Sequence, residues 1–476
     1  MTSSLPPLSH IPEAGDRVQD HITRWSESRV TLPAVVAVPE SESDIVSSLR
    51  YALDNGLRVV TAGGGHAPFV PVTGKTLYLD MCKFKSIAVD EKQSIVTIGG
   101  GVLTGELFTA LTSRGLYTTL PNSNAVGVVG AVLGSGNNPF NSLHGLMADN
   151  VDGVRIVTAR HGNLDTRDID ISSTNDEERA LLSAICGAGH GLGVITTMKL
   201  KIYRIADLSL DNGDHIWQRR VIYPSFAVHD AAELFTSLLP VQGPVSAVML
   251  FARSPPNSPR PGSPIVMVLG SYYGPAAVAE SSAFGQAIQA PDLAAKAVMA
   301  VTEGVPLTKM NDATAPFNTR GGSKILDAAF LHTLDADTIV SLFEQYVAYT
   351  EGRPERHMSY TAIAAWDTTK SEELGCSVER RGNYIFSRDH SILQLNTTWS
   401  TKVDATSDQE ARTYMRKMKE TSLRGETGPE VSFANNLAFP ASMEDYYPKD
   451  RVKDLEATKA LWDPNSLFWS PSMAAE

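Results

Sequence analysis

Glycine gathers at four places in the first two hundred residues: Gly63–Gly65, Gly99–Gly101, Gly127–Gly136 and Gly187–Gly193. Each cluster separates segments that read as strands or helices. Glycine lets main-chain N–H groups approach a ligand closely, because no Cβ stands between them. Any one cluster reads as an ordinary turn. Four in one domain point to a single large ligand touched by several loops.

The pattern around them is mixed. Val35–Val38 reads as a strand, and Ser43–Leu53 as a helix with Ile45, Leu49 and Leu53 on one face. Gly56 stops that helix, and Leu57–Thr61 is the next strand. Thr76–Asp80, Ser94–Ile98, Val154–Val157 and Val194–Ile202 are further strands, and Glu106–Leu111 is a short helix. After Ile202 the texture changes. Strands are expected at Ser246–Phe251, Ile265–Gly270 and Ile392–Trp399, the first two joined by a stiff proline-rich loop. Helices are expected near Val228–Leu239, Ala277–Ile288, Asp335–Tyr349, Asp408–Thr421 and Arg451–Leu461. Both halves read as α+β, and 476 residues exceed one ordinary core.

Composition narrows the function. Hydrophobic residues make up 42% and charged residues 20%, as in a soluble globular enzyme. A net charge of -12 argues against a nucleic-acid partner, which needs a basic face. No stretch approaches a membrane span, and the first thirty residues lack an apolar signal region, so a cytoplasmic protein is expected. Cys82, Cys186 and Cys376 are too scattered for a disulfide framework or a metal cluster, and no metal is expected.

A nicotinamide-binding fold needs G-x-G-x-x-G between a strand and a helix. The run Gly187-Ala188-Gly189-His190-Gly191-Leu192-Gly193 has other spacing and stands between a helix and a strand, in the reverse order. After Gly99-Gly100-Gly101 the next glycine, Gly105, falls one place too late.

Other short segments, in shared order, carry a different likeness. They are Gly63-Gly64-Gly65-His66, Tyr78-Leu79-Asp80-Met81, Gly99–Leu107, Ala125–Gly130, His144-Gly145-Leu146, Leu192–Thr196, Tyr446-Tyr447 and Asp463–Phe468. Together they resemble the berberine-bridge-enzyme-like branch of the vanillyl-alcohol oxidase flavoproteins, over most of the chain. The resemblance implies an FAD-binding domain of two α/β subdomains, residues 1–205, completed by a returning segment, residues 426–476. Residues 206–425 would form an α+β substrate domain with an antiparallel sheet.

It also implies the site. FAD contacts would come from Thr61, Gly63, Gly64, Gly65, His66, Ala67, Ser123, Val126, Gly127, Gly130, Gly134, Asn137, Asn138, Leu143, Gly193, Val194, Ile195, Asn435 and Asn465. A diphosphate prefers backbone N–H nests, and the glycine run supplies one. His66 would bond covalently to the flavin's 8α-methyl carbon. Some relatives make a second bond through a cysteine; Ser123 stands there, so one bond is expected. Val126 falls where the family controls oxygen access, and a modest aliphatic there suits an oxidase.

The catalytic half departs from the family. The position of a family glutamate that acts as base falls on Gln394, which hydrogen-bonds but cannot take a proton. A family tyrosine pair falls on Phe433 and Asn436, leaving only the central Asn435. Asn137-Asn138 replaces an aromatic residue and a glycine. Gln394 and Asn396, two apart on one strand, are expected to point into the pocket, and Tyr384, His357, His390 and Tyr447 are candidate bases by residue type. The implied activity is hydride transfer from a small secondary metabolite to flavin N5, with reoxidation by molecular oxygen. The alternatives are a flavin-bound cyclase without net redox change and an inactive flavin-binding homologue.

Overall fold

The computed structural model describes residues 4–471 apart from 381, 386, 429, 439–442 and 448. The first sheet holds β1 (Ser9–His10), β2 (Val35–Ala37), β3 (Arg58–Ala62) and β4 (Thr76–Asp80), in the order β1-β2-β4-β3. Both neighbours of β4 run parallel to it. The crossover from β2 to β3 is the helix Glu42–Asp54, which starts at a reciprocal Ser41–Asp44 cap and buries Ile45, Leu49 and Ala52.

The second sheet is antiparallel. It contains β5 (Ile87–Asp90) and β6 (Ile95–Gly99). A short strand, β7 (Leu116–Tyr117), stands apart from it. Then come β8 (Val151–Thr158), β9 (Asp165–Asp170) and β10 (Val194–Lys201), in the order β5-β6-β10-β8-β9. Strand β11 (Tyr203–Arg204) pairs with β7. The helix Asp176–Ala188 kinks at Gly187, which has φ 117. Leu467–Trp469 lies along β3: Val59 N–H donates to the Leu467 carbonyl at 2.8 Å, and Trp469 N–H donates back at 3.0 Å.

The remaining strands form one antiparallel sheet. They are β12 (His215–Pro224), β13 (Val245–Arg253), β14 (Pro264–Tyr272), β15 (Met299–Pro306), β16 (Ser323–Leu331), β17 (Tyr360–Trp366), β18 (Ile392–Ser400) and β19 (Val431–Ser432). The order is β15-β12-β14-β13-β17-β18-β16-β19. The expected helix Ala277–Ile288 is broken in two at Ser282, whose ψ of 157 is extended and whose hydroxyl caps the second piece.

The two faces of this sheet differ. Helices Val228–Ser237, Ala336–Thr350 and Ala405–Ser422 cover one face, burying Val221, Met249, Phe251, Val268, Ala329, Ile363 and Ile392. The opposite face carries Val248, Leu250, Met267, Leu269, Ala362, Ala364 and Leu395, all only half-buried. They lie outside the core that these three helices cover.

One charge is trapped under the helices. Asp327 on β16 is buried, with Lys419 of the helix Ala405–Ser422 at 3.9 Å. Burial pushes its carboxyl up to about 6, against the pull of Lys419. Its folded value lies above its unfolded one, so the fold holds an extra proton between them, and stability falls as pH rises through that window. The loss is of the order of 2–3 kcal/mol. Asp327→Asn is therefore expected to raise the melting temperature at pH 8 and to change it little at pH 4.5, as thermal unfolding at the two pH values will show.

Candidate active site

Strand β3 delivers the run Gly63–His66 to a place where loops cross main chain against main chain. A Cβ on Gly64 would lie 2.7 Å from both the Ala125 carbonyl oxygen and the Gly127 nitrogen. Gly65 has φ 68, a left-handed conformation that favours glycine. Thr104 N–H donates to the Val126 carbonyl at 2.9 Å, and Val128 N–H to Val102 at 3.1 Å, which lays loop 123–128 on loop 100–104. Gly100 N–H donates to Thr196 at 2.9 Å, so Gly193, Val194 and Ile195 at the start of β10 join the same crossing.

The partly open surface beside this crossing is the candidate cofactor cleft. Thr61 is exposed, Ser123, Asn124, Ala125 and Val126 are half-buried, and a Cβ on Gly130 would meet open space. The Gly63–Gly64 clamp and the open Gly130 are what a long cofactor lying on backbone requires. These residues fit FAD, which would lie against Gly63–Gly65, Ser123–Gly127 and Gly130.

His66 sits at the end of the cleft. Its ring stacks on Trp25, centroids 5.2 Å apart and 16° from parallel. Burial pushes it down to about 3, helped by the Arg320, Lys324 and Arg24 cations. The imidazole is therefore neutral above pH 5, with a lone pair free for bonding. Arg24 fixes the turn that follows, donating to the Ala67 and Val70 carbonyls at 2.7 Å each. The Ser123 hydroxyl donates to Asn318 at 2.6 Å.

Lys324 joins this end of the cleft to the large sheet. It is buried, donates to the Trp25 carbonyl at 2.7 Å, and also to Gly321. Its ammonium stands 4.1 Å from the centroid of Trp399 and 5.0 Å from that of Trp25. Burial pushes it down to about 8. Lys324 and Trp399 are cross-strand partners, so they identify the face opposite the helices as the one turned toward His66. The face carries Tyr360 and, at Ser246, a contact of 3.1 Å with the Tyr273 hydroxyl. Among the described residues of β13, β14 and β16–β18 it carries no carboxylate.

Gln394 and Asn396 do not share this face. Gln394 pairs with Ala329 and Ile363, both in the helix-covered core, and is fully buried. Asn396 accepts from the Thr361 hydroxyl at 2.9 Å and pairs with Asp327 on the same covered side. The pleat puts Trp399 with Thr397, Leu395 and Leu393 instead, so the expected pocket pair is one residue out of phase. Tyr384 is engaged by Arg451. Its ring lies under the Arg451 guanidinium at 4.2 Å, its hydroxyl reaches the Arg451 carbonyl at 3.4 Å, and burial raises its phenol.

Several expected FAD contacts build the loops. Asn138 is buried and donates to Asn141 at 2.6 Å and Gly145 at 3.0 Å, while its oxygen takes Phe140 N–H at 2.9 Å. Its amide is used within the loop. Asn137 accepts from Asn141 at 2.6 Å. Leu143 lies on the short helix Asn141–His144, whose Ser142 hydroxyl donates to the Val245 carbonyl at 2.6 Å and ties the loop to the large sheet. Asn435 donates to the Ala131 and Gly134 carbonyls at 2.7 and 3.2 Å, closing the helix that holds Gly130. Asn465 is exposed beside Gly162, and the turn is held by Asp463, which accepts from Leu467 and Phe468 N–H at 2.8 and 3.2 Å. The loop is also braced by the buried Asp149–Arg388 ion pair at 2.7 Å.

Residues 33–165, which include both crossing loops, match the FAD binding domain family. The FAD-linked oxidoreductase srdI of Neurospora crassa is 24% identical over 96% of this chain and 88% of its own length. The (R)-6-hydroxynicotine oxidase of Paenarthrobacter nicotinovorans is 33% identical over 45% of this chain and 44% of its own. The chain carries an FAD binding domain and is similar to curated FAD-linked oxidoreductases. Solved structures share its fold. The Physcomitrella patens berberine-bridge-enzyme-like protein 1 superposes with a TM-score of 0.78 over 97% of this chain and 96% of that one, at 17% identity. A berberine bridge enzyme variant in complex with (S)-reticuline gives 0.76 over 98% and 96%, at 15% identity. The oxidoreductase has no helix among its described residues long and apolar enough to cross a membrane.

What sequence reasoning missed was the wall itself. Lys324, Tyr360, Trp25 and the true partners of Trp399 lie in segments without a motif. The signal for Trp399 was available in its own strand, because alternation counted back from that ring selects Thr397 and Leu395.

Proposed function

We propose that this oxidoreductase is an oxidase of an apolar small molecule, aromatic or polyketide-like, with its FAD bound covalently through His66 alone. The observation that carries the reading is the wall facing His66. It offers Val248, Leu250, Met267, Leu269, Ala362, Ala364 and Leu395 to a ligand. Such a surface takes up an apolar ring system and excludes water from it. A sugar would leave its hydroxyls unpaired against these side chains.

Bound FAD would accept a hydride at N5 and pass the electrons to molecular oxygen as hydrogen peroxide. The protein's part is orientation and charge. Among the described residues of β13, β14 and β16–β18 the wall bears no carboxylate base, and burial raises the phenols of Tyr360 and Tyr273. A substrate hydroxyl acidic enough to ionise, as in a phenol or enol, fits this surface. Lys324 supplies positive charge at the His66 end. The neutral His66 suits a nucleophile, and Ser123 supplies no thiol for a second bond.

The test is anaerobic mixing with a panel of phenolic and enolic aromatic polyketides. A productive substrate is expected to bleach the visible flavin absorbance, and admitted air to restore it with release of peroxide. Product formed without bleaching would replace the oxidase by a cyclase that keeps FAD as a scaffold.

A further inference from the structure

A second cluster of chemistry-bearing side chains stands outside the flavin cleft, at the other end of β16 from Lys324. His332 follows β16 directly, and Asp389 and His390 precede β18, its paired neighbour. His390 Nδ1 lies 2.8 Å from one Asp389 carboxylate oxygen, and His332 Nε2 lies 3.5 Å from the other. The two imidazole rings have centroids 3.8 Å apart. One ligand atom from each of the three residues can be chosen so that all lie within 4.8 Å of one another.

The fourth member is Glu426. One of its oxygens accepts from His332 N–H at 2.8 Å and from Thr333 N–H at 3.1 Å, and the other meets His332 Nδ1 at 2.9 Å. With one ring proton held on Nδ1 by that contact, a singly protonated His332 presents its Nε2 lone pair toward Asp389. A proton or a cation between Nε2 and the carboxylate oxygen makes that approach favourable, and a divalent cation binds there in exchange for the proton. A carboxylate behind a histidine ring is also how metal-binding imidazoles are held. The 3.5 Å gap is long for a hydrogen bond and close to the roughly 3.3 Å between two ligands of one tetrahedral zinc. Asp389 and His332 are exposed and His390 is buried, its ring 6.5 Å from Phe330, so an ion would be reached from solvent and held against the fold.

We propose that His332, Asp389 and His390, with Glu426 behind His332, bind one zinc-class divalent cation that clips the segment before β18 to the end of β16. Two imidazoles and one carboxylate suit zinc, nickel, cobalt or copper, whereas magnesium and calcium prefer oxygen cages.

The test uses tag-free, flavin-loaded full-length protein, stripped with chelator and desalted. Titration with Zn2+ in a calorimeter is expected to show one equivalent per chain and a raised melting temperature. Co2+ is expected to give visible bands at longer wavelength than the flavin. His332→Ala and His390→Asn should each weaken Zn2+ binding at least about tenfold, and Glu426→Gln about tenfold. The flavin content of His332→Ala should match the parent, which shows that it has folded. Absence of stoichiometric Zn2+ binding, or binding that His332→Ala leaves unchanged, would overturn the proposal.

Discussion

Gly64→Val is expected to abolish FAD retention and with it essentially all activity, more than about a hundredfold. The added Cβ would sit 2.7 Å from two backbone atoms of the facing loop, Ala125 O and Gly127 N. Neither is the end of a flexible side chain, so the loops themselves must part. Moving them also strains the hydrogen bonds from Thr104 to Val126 and from Val128 to Val102. Each lost buried bond costs about 1–3 kcal/mol. Gly130→Ala is the informative partner, because its Cβ would meet open space. Without cofactor it should fold at least as well as the parent, since alanine is favoured over glycine in a helix by up to about 1 kcal/mol. With cofactor it should bind FAD more weakly, if the open space is where FAD lies. Flavin-to-protein absorbance ratios and apoprotein melting curves for both variants decide the matter. A Gly64→Val protein that keeps a full complement of FAD would remove the loop crossing from the binding site.

The second large effect belongs to His66→Ala. Acid precipitation of the parent is expected to leave the yellow colour in the pellet, and mass spectrometry should find a flavin on the peptide carrying His66. The variant should give a colourless pellet and free FAD in solution. Its flavin should be a weaker oxidant, and every 30 mV of lost potential removes about 1.4 kcal/mol of driving force from a two-electron step. A fall in turnover of about tenfold or more follows if even part of that loss reaches the barrier. His66 is held near 3, so it stays neutral from pH 5 to 8 and attachment should not depend on pH in that range. Ser123→Ala is expected to leave the single bond intact. A yellow pellet from His66→Ala would overturn the assignment of the bond.

Much of the cofactor half was legible because backbone conformation is written in glycine. Gly64 and Gly65 are glycines for reasons visible in the loops they occupy: close approach at one and positive φ at the other. The parallel β-helix-β unit before them was equally clear, because Ile45 and Leu49 repeat at helical spacing between two aliphatic strands. The large sheet was read only in part. Strands β12, β15, β16 and β17 carry arginine, glutamate, lysine, aspartate and runs of alanine, which have weak strand preference of their own. Their conformation is set by neighbours far away in sequence. Lys324 is the sharpest case: a lysine reads as surface, yet here two tryptophan faces and two carbonyls take the place of water. The Gln394 placement failed for a simpler reason. An aligned motif fixes a position along a strand only to within a residue, and one residue exchanges the two faces. The His332–Asp389–His390–Glu426 cluster has no sequence signature, since its members come from three separate segments.

The large sheet divides its labour by parity. Residues that face the helices, such as Met249, Val268, Ile363 and Ile392, are buried and carry the packing of that half. Residues of the opposite parity on the same strands, Val248, Leu250, Met267, Leu269, Ala362, Ala364 and Leu395, face the cleft and are only partly covered. Exchanging Val248, Leu250, Met267, Leu269 or Ala362 changes the shape offered to a ligand at little cost to the core, whereas Ala364 and Leu395 pack on the buried cluster of Ala328, Phe330, Trp366 and Leu393. Alternate residues of one strand thus face separate selection pressures. Such a scaffold lets descendants drift from one molecule to another while the fold stays constant, and it marks those five positions as the first to randomise when a new substrate is wanted.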